Sequence, residues 1–331
     1  MDLDPIDRAA AQASFSGVVA VDAGDRRLLG LAGGFADRAH AVPNTLDTRF
    51  AIASGTKAFT ALAVMRLVEE GVLDLGTRAR ALLGDDLPLI DDSVTVEHLL
   101  SHSSGIGDYL DEEAGGEITD YVLGVPVHTL DTAEAYLPVI DGFPQVFAPG
   151  ERFAYNNGGY VVLALLAERA SGVGYHELVA REVCARAGLT RTAFLRSDEL
   201  PGDVALGYLD DEGVRTNVLH LPVRGVGDGG ISTTVGELHA FWRALLAGRI
   251  VRPETLAAMS KPRWDVPGEG KRYGLGLYVH DAGPALCLEG YDAGVSFVSW
   301  HDPRTATTAT VIGNTSEAAW PVAGLLRQVV D

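Results

Sequence analysis

The stretch that most constrains this chain is FAIASGTKAFTALAVMRLVEEG, residues 50–71. After Ser54, the run Ala58, Phe59, Ala61, Leu62, Ala63, Val64, Met65, Leu67 and Val68 is apolar nearly all round. It contains no proline or glycine, and Gly71 stands where a helix would stop. A helix with no polar face is buried, not laid on a surface. Lys57 sits one turn into that helix, on the same side as Ser54. Desolvation disfavours an ammonium and lowers its pKa. An amine that deprotonates easily beside a serine hydroxyl is a base beside a nucleophile. Ser54 also falls at the helix N-terminus, where unpaired N–H groups favour a developing negative charge. The chain has only three lysines among its 26 basic residues, which makes the pairing uncommon, although a capping serine followed by a surface lysine has the same spelling.

With 331 residues the chain can bury a large core and form one large domain or two moderate ones. A net charge of −19 argues against nucleic acid or an anionic membrane surface as a partner. The N-terminal MDLDPIDRAAAQASFSG has neither the basic nor the apolar region of a signal peptide, and no apolar run is long enough to span a bilayer. A cytoplasmic location is therefore expected. Cys184 and Cys287 have no metal-like spacing and read as core thiols.

Residues 16–22 and 27–32 read as a pair of strands around the turn AGDR, and Arg49–Ile52 as an extended lead into the Ser54 helix. The stretch TVEHLLSHSSGIGDY, from Thr95, reads as a short capped helix running into a turn. His98 and His102 are four residues apart, but no third ligand is near. They read as structural, and neither a metal nor a cofactor is expected. Helices are predicted over 131–140, 159–172, 175–187 and 235–247, with a last one near 318–329. Strands are predicted over 272–279, 285–290, 295–301 and 308–314. Strands at both ends and helices between predict an α/β domain built from residues 1–75 and 225–331, with a mainly helical insertion over 76–224.

Tyr155, Asn156 and Asn157 precede the apolar helix at 159–172. Alone they read as a turn with a helix cap. Beside the Ser/Lys pair, Tyr155 gains a role: an adjacent ammonium would lower its pKa, and as phenolate it would accept the Ser54 proton. Asn157 would orient Lys57 and bind a substrate carbonyl.

Five pieces occur in a set order: Ser54-Gly-Thr-Lys57, HLLSHSSGI (98–106), PGERFAYNNGGYVVL (149–163), GDGGISTTVGELHAF (227–241) and RYGLGLYV (272–279). From about residue 16 to 315 the chain resembles the serine β-lactamase-related family, which includes class C β-lactamases, penicillin-binding DD-carboxypeptidases, D-aminopeptidases and family-VIII-type esterases. The resemblance implies an α+β fold, an antiparallel sheet flanked by helices. Ser54 would be the acylated nucleophile, Lys57 and Tyr155 would share the base and acid roles as a coupled pair, and Asn157 would be the amide of a Tyr-x-Asn motif. The oxyanion hole would use the N–H groups of Ser54 and Tyr291.

One motif departs from the family. Where it carries Lys-Thr-Gly or His-x-Gly, this chain has Leu288-Glu289-Gly290. Gly290 keeps the close backbone approach a substrate needs, but Leu288 offers no cation to a substrate carboxylate. The expected partner is a small-molecule ester, amide or peptide substrate. The departure shifts the expectation from penicillins and D-Ala-D-Ala peptides towards neutral esters or amides, with an esterase or peptidase-like hydrolase ahead of a β-lactamase. Glu289 reads as a solvated carboxylate, with a substrate amine as the alternative partner. A non-catalytic penicillin-binding-like module that binds a peptide or acyl ligand is the rival reading. An α/β-hydrolase is disfavoured because no Gly-x-Ser-x-Gly elbow occurs, and a class A enzyme because Tyr-Asn-Asn replaces Ser-Asp-Asn.

Overall fold

The computed structural model describes residues 3–11, 15–112 and 115–330. Its centre is an eight-stranded sheet made of β1 (Gly17–Ala23), β2 (Arg26–Gly33), β3 (Trp264–Val266), β4 (Lys271–Tyr273), β5 (Tyr278–His280), β6 (Leu286–Asp292), β7 (Val295–Asp302) and β8 (Thr307–Gly313). The spatial order is β2-β1-β8-β7-β6-β5-β4-β3. Every pairing is antiparallel. The first hairpin docks on the last strand through Gly17↔Gly313 to Ala23↔Thr307, so the two ends of the chain close one sheet.

Strand residues alternate between the faces, so each face has its own core. Val18, Ala20, Phe297 and Ile312 pack with α2 (Thr56–Glu69), α3 (Asn157–Ser171) and α4 (Val235–Leu246). Val19, Val21, Val298, Trp300 and Val311 face α1 (Asp4–Ala10) and α5 (Trp320–Val330). The apolar stretch after Ser54 forms α2, with Ala58 through Met65 buried, and packs against α3 as its lack of a polar face requires. Among the described residues, no helix is long and apolar enough to cross a membrane.

Some expected elements differ in detail. The strand predicted over 272–279 is two strands, β4 and β5, folded back so that Tyr278 pairs with Tyr273. Gly276 sits at φ 80° and Gly274 N–H donates to Leu277 C=O, which makes Gly274–Leu277 a tight turn. Leu275 and Leu277 point from that turn into the core, and this is why the stretch looked uniformly strand-like. The helix expected over 131–140 is reduced to a 3₁₀ turn at Glu134–Tyr136 and one α-turn at Leu137–Ile140. Among the described residues between 76 and 224, the long helical runs are α3 and residues 175–187, the latter with a π-helical stretch at Ala180–Ala185, and extended irregular segments join them to short turns.

Candidate active site

Three elements converge on one face of β6. Ser54 lies on a 3₁₀ turn, Ala53–Gly55, that leads directly into α2. Ala53 takes φ 44°, a conformation that costs a non-glycine residue about 1 kcal/mol or more and that sharpens the approach to the nucleophile. One turn on, Lys57 is 3% exposed. Its Nζ donates to Ser54 Oγ at 2.8 Å, Asn157 Oδ1 at 2.8 Å and the Asp228 carbonyl at 2.9 Å. Three acceptors saturate an ammonium. When the amine is neutral, the Ser54 contact reverses and the hydroxyl donates to the nitrogen lone pair. Burial pulls the Lys57 pKa down, against the attraction of the carboxylates of Asp228, Glu112, Asp108 and Asp292.

Tyr155 lies over this amine, with Nζ 4.8 Å from the ring centroid. Its pKa, however, is raised well above the ordinary tyrosine value. Burial is the main cause, Glu112 and Tyr278 add to it, and a hydrogen bond with Ser54 opposes it. The expected phenolate is therefore replaced by a neutral phenol. Burial of the ring disfavours the phenolate, and a neighbouring amine that is itself driven towards its uncharged form does little to favour it. Asn157 orients Lys57 as expected, but its Nδ2 already donates to Leu110 C=O and Glu112 Oε1, both at 3.0 Å.

Gly290 lies against the Ser54 turn. A Cβ there would sit 2.1 Å from Ile52 O and 3.0 Å from Ser54 N, so this position excludes any side chain. The Tyr291 ring lines the cavity next to Ser54, and its hydroxyl donates to Glu317. Leu288 is buried with the α2 core, and it borders a crevice shared by Ser54, Lys57 and Tyr155. Glu289 is partly solvated, its side chain 34% exposed, and it is paired: Lys271, itself buried, donates to it at 2.7 Å and also meets Glu269.

A cavity of about 250 Å³ opens at Ser54. Tyr109, Tyr121, Tyr136 and Leu221 are among its walls, and Glu112, Asp228 and Asp292 face it. Among the described residues that line it there is no lysine or arginine. These acids were not foreseen. The glycines around Asp228 were the available signal: a Cβ on Gly227 would lie 1.9 Å from Tyr160 O, so the GVGDGG stretch is glycine-rich because it crosses α3 in contact. His98 and His102 serve the backbone. His98 and Thr95 form a reciprocal cap, and His102 Nδ1 accepts from Asn156 N–H. Cys184 and Cys287 are free and buried.

A Beta-lactamase family profile matches residues 5–330. The chain belongs to the Beta-lactamase family. A penicillin-binding protein structure from Bacillus halodurans superposes with a TM-score of 0.91 at 34% identity, covering 98% of this chain and 99% of that one. A D-aminopeptidase from Brucella anthropi is 30% identical over 92% of this chain and 58% of its own length. Penicillin-binding protein 4* of Bacillus subtilis is 27% identical over 81% of this chain and 60% of its own. The chain thus spans about three-fifths of these two curated relatives.

Proposed function

We propose that the chain is a serine hydrolase that forms an acyl-enzyme on Ser54 and cleaves esters or amides. The observation that carries this reading is the 2.8 Å contact between Ser54 Oγ and the buried Lys57 amine. In the neutral form Lys57 takes the Oγ proton as the oxygen attacks the substrate carbonyl carbon. The oxyanion that forms faces the N–H groups of Ser54 and Tyr291, which the lack of a side chain at Gly290 lets lie close together. Tyr155, a phenol in contact with Ser54, passes a proton to the departing alkoxide or amine and regains it through Lys57. Water then attacks the acyl-enzyme by the reverse route. The sheet-bearing part from 1–75 and 225–331 contributes Ser54 and Lys57, and the segment 76–224 contributes Tyr155 and Asn157. We read these as two domains with the substrate entering between them.

The finer substrate class follows from charge. Leu288 offers no cation, Lys271 is occupied by Glu269 and Glu289, and the cavity wall carries carboxylates. A substrate carboxylate is poorly served there, so neutral or amine-bearing acyl groups are favoured over β-lactams. The test is hydrolysis of a short-chain nitrophenyl ester and a chromogenic cephalosporin, with Ser54→Ala as control. Ester turnover that vanishes in the variant, with the cephalosporin left intact, supports the reading. Wild-type protein inert on both, like the variant, favours a ligand-binding module instead.

A further inference from the structure

The Ser54 site is held by a segment that contributes no group to the chemistry proposed above. Residues 102–110 run alongside residues 154–158 and bond to them almost residue by residue. Ala154 N–H donates to His102 C=O at 2.9 Å and Asn156 N–H to His102 Nδ1 at 3.1 Å. The Asn156 side chain donates to Ile106 C=O at 2.9 Å. Asp108 completes the series. Its Oδ2 accepts from Asn157 N–H at 2.6 Å and its Oδ1 from Gly158 N–H at 2.8 Å. With Asn156 Oδ1 accepting from Gly159 N–H at 2.6 Å, three successive donors at the start of α3 are satisfied. Two of them depend on a carboxylate brought in from a different loop.

We propose that Asp108 is a positioning residue: its ionised carboxylate fixes the first turn of α3, so that Asn157 holds Lys57 in line with Ser54, and the reaction requires that charge. The inference rests on the hydrolase reading above. A protonated carboxyl presents one acceptor less and places an O–H against an N–H, so the clamp loosens as the proton binds. Burial pushes the Asp108 pKa up to about 6, while the N–H groups of Gly158 and Asn157 and the charge of Lys57 pull it down. The clamp therefore loosens within an accessible pH range. The other titratable groups around this junction are Lys57 on α2, Tyr109 next to Asp108, Glu112 just beyond the segment, Asp228, Asp292, Tyr155 and His102.

The experiment compares wild type, Asp108→Asn, Asn157→Ala and the double variant on a nitrophenyl ester from pH 5 to 9. We expect Asp108→Asn to lower kcat about tenfold or more with KM little changed, the scale of a lost charge-assisted hydrogen bond. The double variant should be about as slow as Asn157→Ala alone, because both changes break one path. Wild-type activity should fall more steeply below about pH 6 than that of Asp108→Asn. Amide exchange at Asn157 and Gly158, corrected for intrinsic rate, reads the same bonds without substrate. It should quicken in Asp108→Asn and, in wild type, below about pH 6. If Asp108→Asn does not fold, Asp108→Ser supplies the same cycle.

Wild-type kinetics in Asp108→Asn, or losses that multiply in the double variant, overturn the inference. Exchange that does not respond to Asp108 overturns it independently of activity. An inert wild type with the predicted exchange pattern would sink the hydrolase reading and leave the Asp108 clamp standing.

Discussion

Two buried polar clusters, one at Ser54 and one between α4 and the sheet, differ in that only the first has the means to do chemistry. The second is formed by Asp22, His239, Thr310, Ser299 and Trp242. His239 Nδ1 donates to Asp22 at 2.6 Å, and Thr310 donates to His239 Nε2 at 3.0 Å. Ser299 lies 2.7 Å from Thr310 and accepts from Trp242 Nε1 at 2.9 Å. On paper this acid, imidazole and hydroxyl match a hydrolytic triad. The Asp22 carboxylate only accepts and the Trp242 N–H only donates, so with a neutral imidazole the chain between them is satisfied by donors running one way, and none of these residues borders the cavity at Ser54. Asp22 is pulled down to about 2: His239 and Arg27 outweigh its burial. The Ser54 cluster has the opposite signature. Its lysine is pushed towards neutrality and its tyrosine away from ionisation, and its serine faces open space. A satisfied network adds stability, whereas a desolvated amine beside a cavity costs stability and gains reactivity.

This contrast can be broken at either cluster. The largest effect is expected from Lys57→Met, which should lower ester kcat/KM by about 10³-fold or more, measured by steady-state kinetics. Its unfolding free energy in urea should stay within about 1 kcal/mol of wild type, since removing a buried amine offsets the orphaned Asn157 oxygen. His239→Ala should do the reverse. It strands Thr310 and removes a partner of Asp22, costing about 3 kcal/mol of stability, with kcat/KM nearly unchanged.

The pH dependence of stability sharpens the same point. Asp22 has a folded pKa of about 2 against an ordinary 3.8. A depressed carboxylate contributes stability above its unfolded pKa and loses it as pH falls through the folded one. About 2 kcal/mol should therefore be lost between pH 4 and pH 2, and Asp22→Asn should flatten that part of the curve in urea titrations. The smallest effect is expected from Leu288→His. Placing an imidazole at the crevice beside Ser54 should raise cephalosporin turnover relative to ester turnover about fivefold, the scale of one hydrogen bond worth about 1 kcal/mol.

The sequence revealed the parts of the site that lie on one element or in one motif. The three-residue spacing on an all-apolar helix places Lys57 under Ser54, and alternating apolar strands identify β1, β6, β7 and β8. Tyr155 and Asn157 gained their roles from the Ser/Lys pair and their place ahead of an apolar helix, and the family likeness added the Tyr-x-Asn motif. Asp108, Glu112, Asp228 and Asp292 were not legible: they come from separate loops and one strand end, and no periodicity brings them together. The ionisation of Tyr155 was misjudged for a related reason. Whether an ammonium or desolvation dominates depends on how deeply both groups are buried, and residue order does not specify that. The turn at Gly276 was hidden because Leu275 and Leu277 are as apolar as the strands they separate.

The most direct test of the central claim is the pH dependence of Ser54 acylation. In a rapid-mixing experiment with a nitrophenyl ester, intact mass and peptide mapping would follow the acyl group. The account predicts a burst with the adduct on the Ser54 peptide, rising with pH through an apparent pKa below the 10.5 of an ordinary lysine. Absence of an adduct, or acylation that rises only near 10.5, would contradict it.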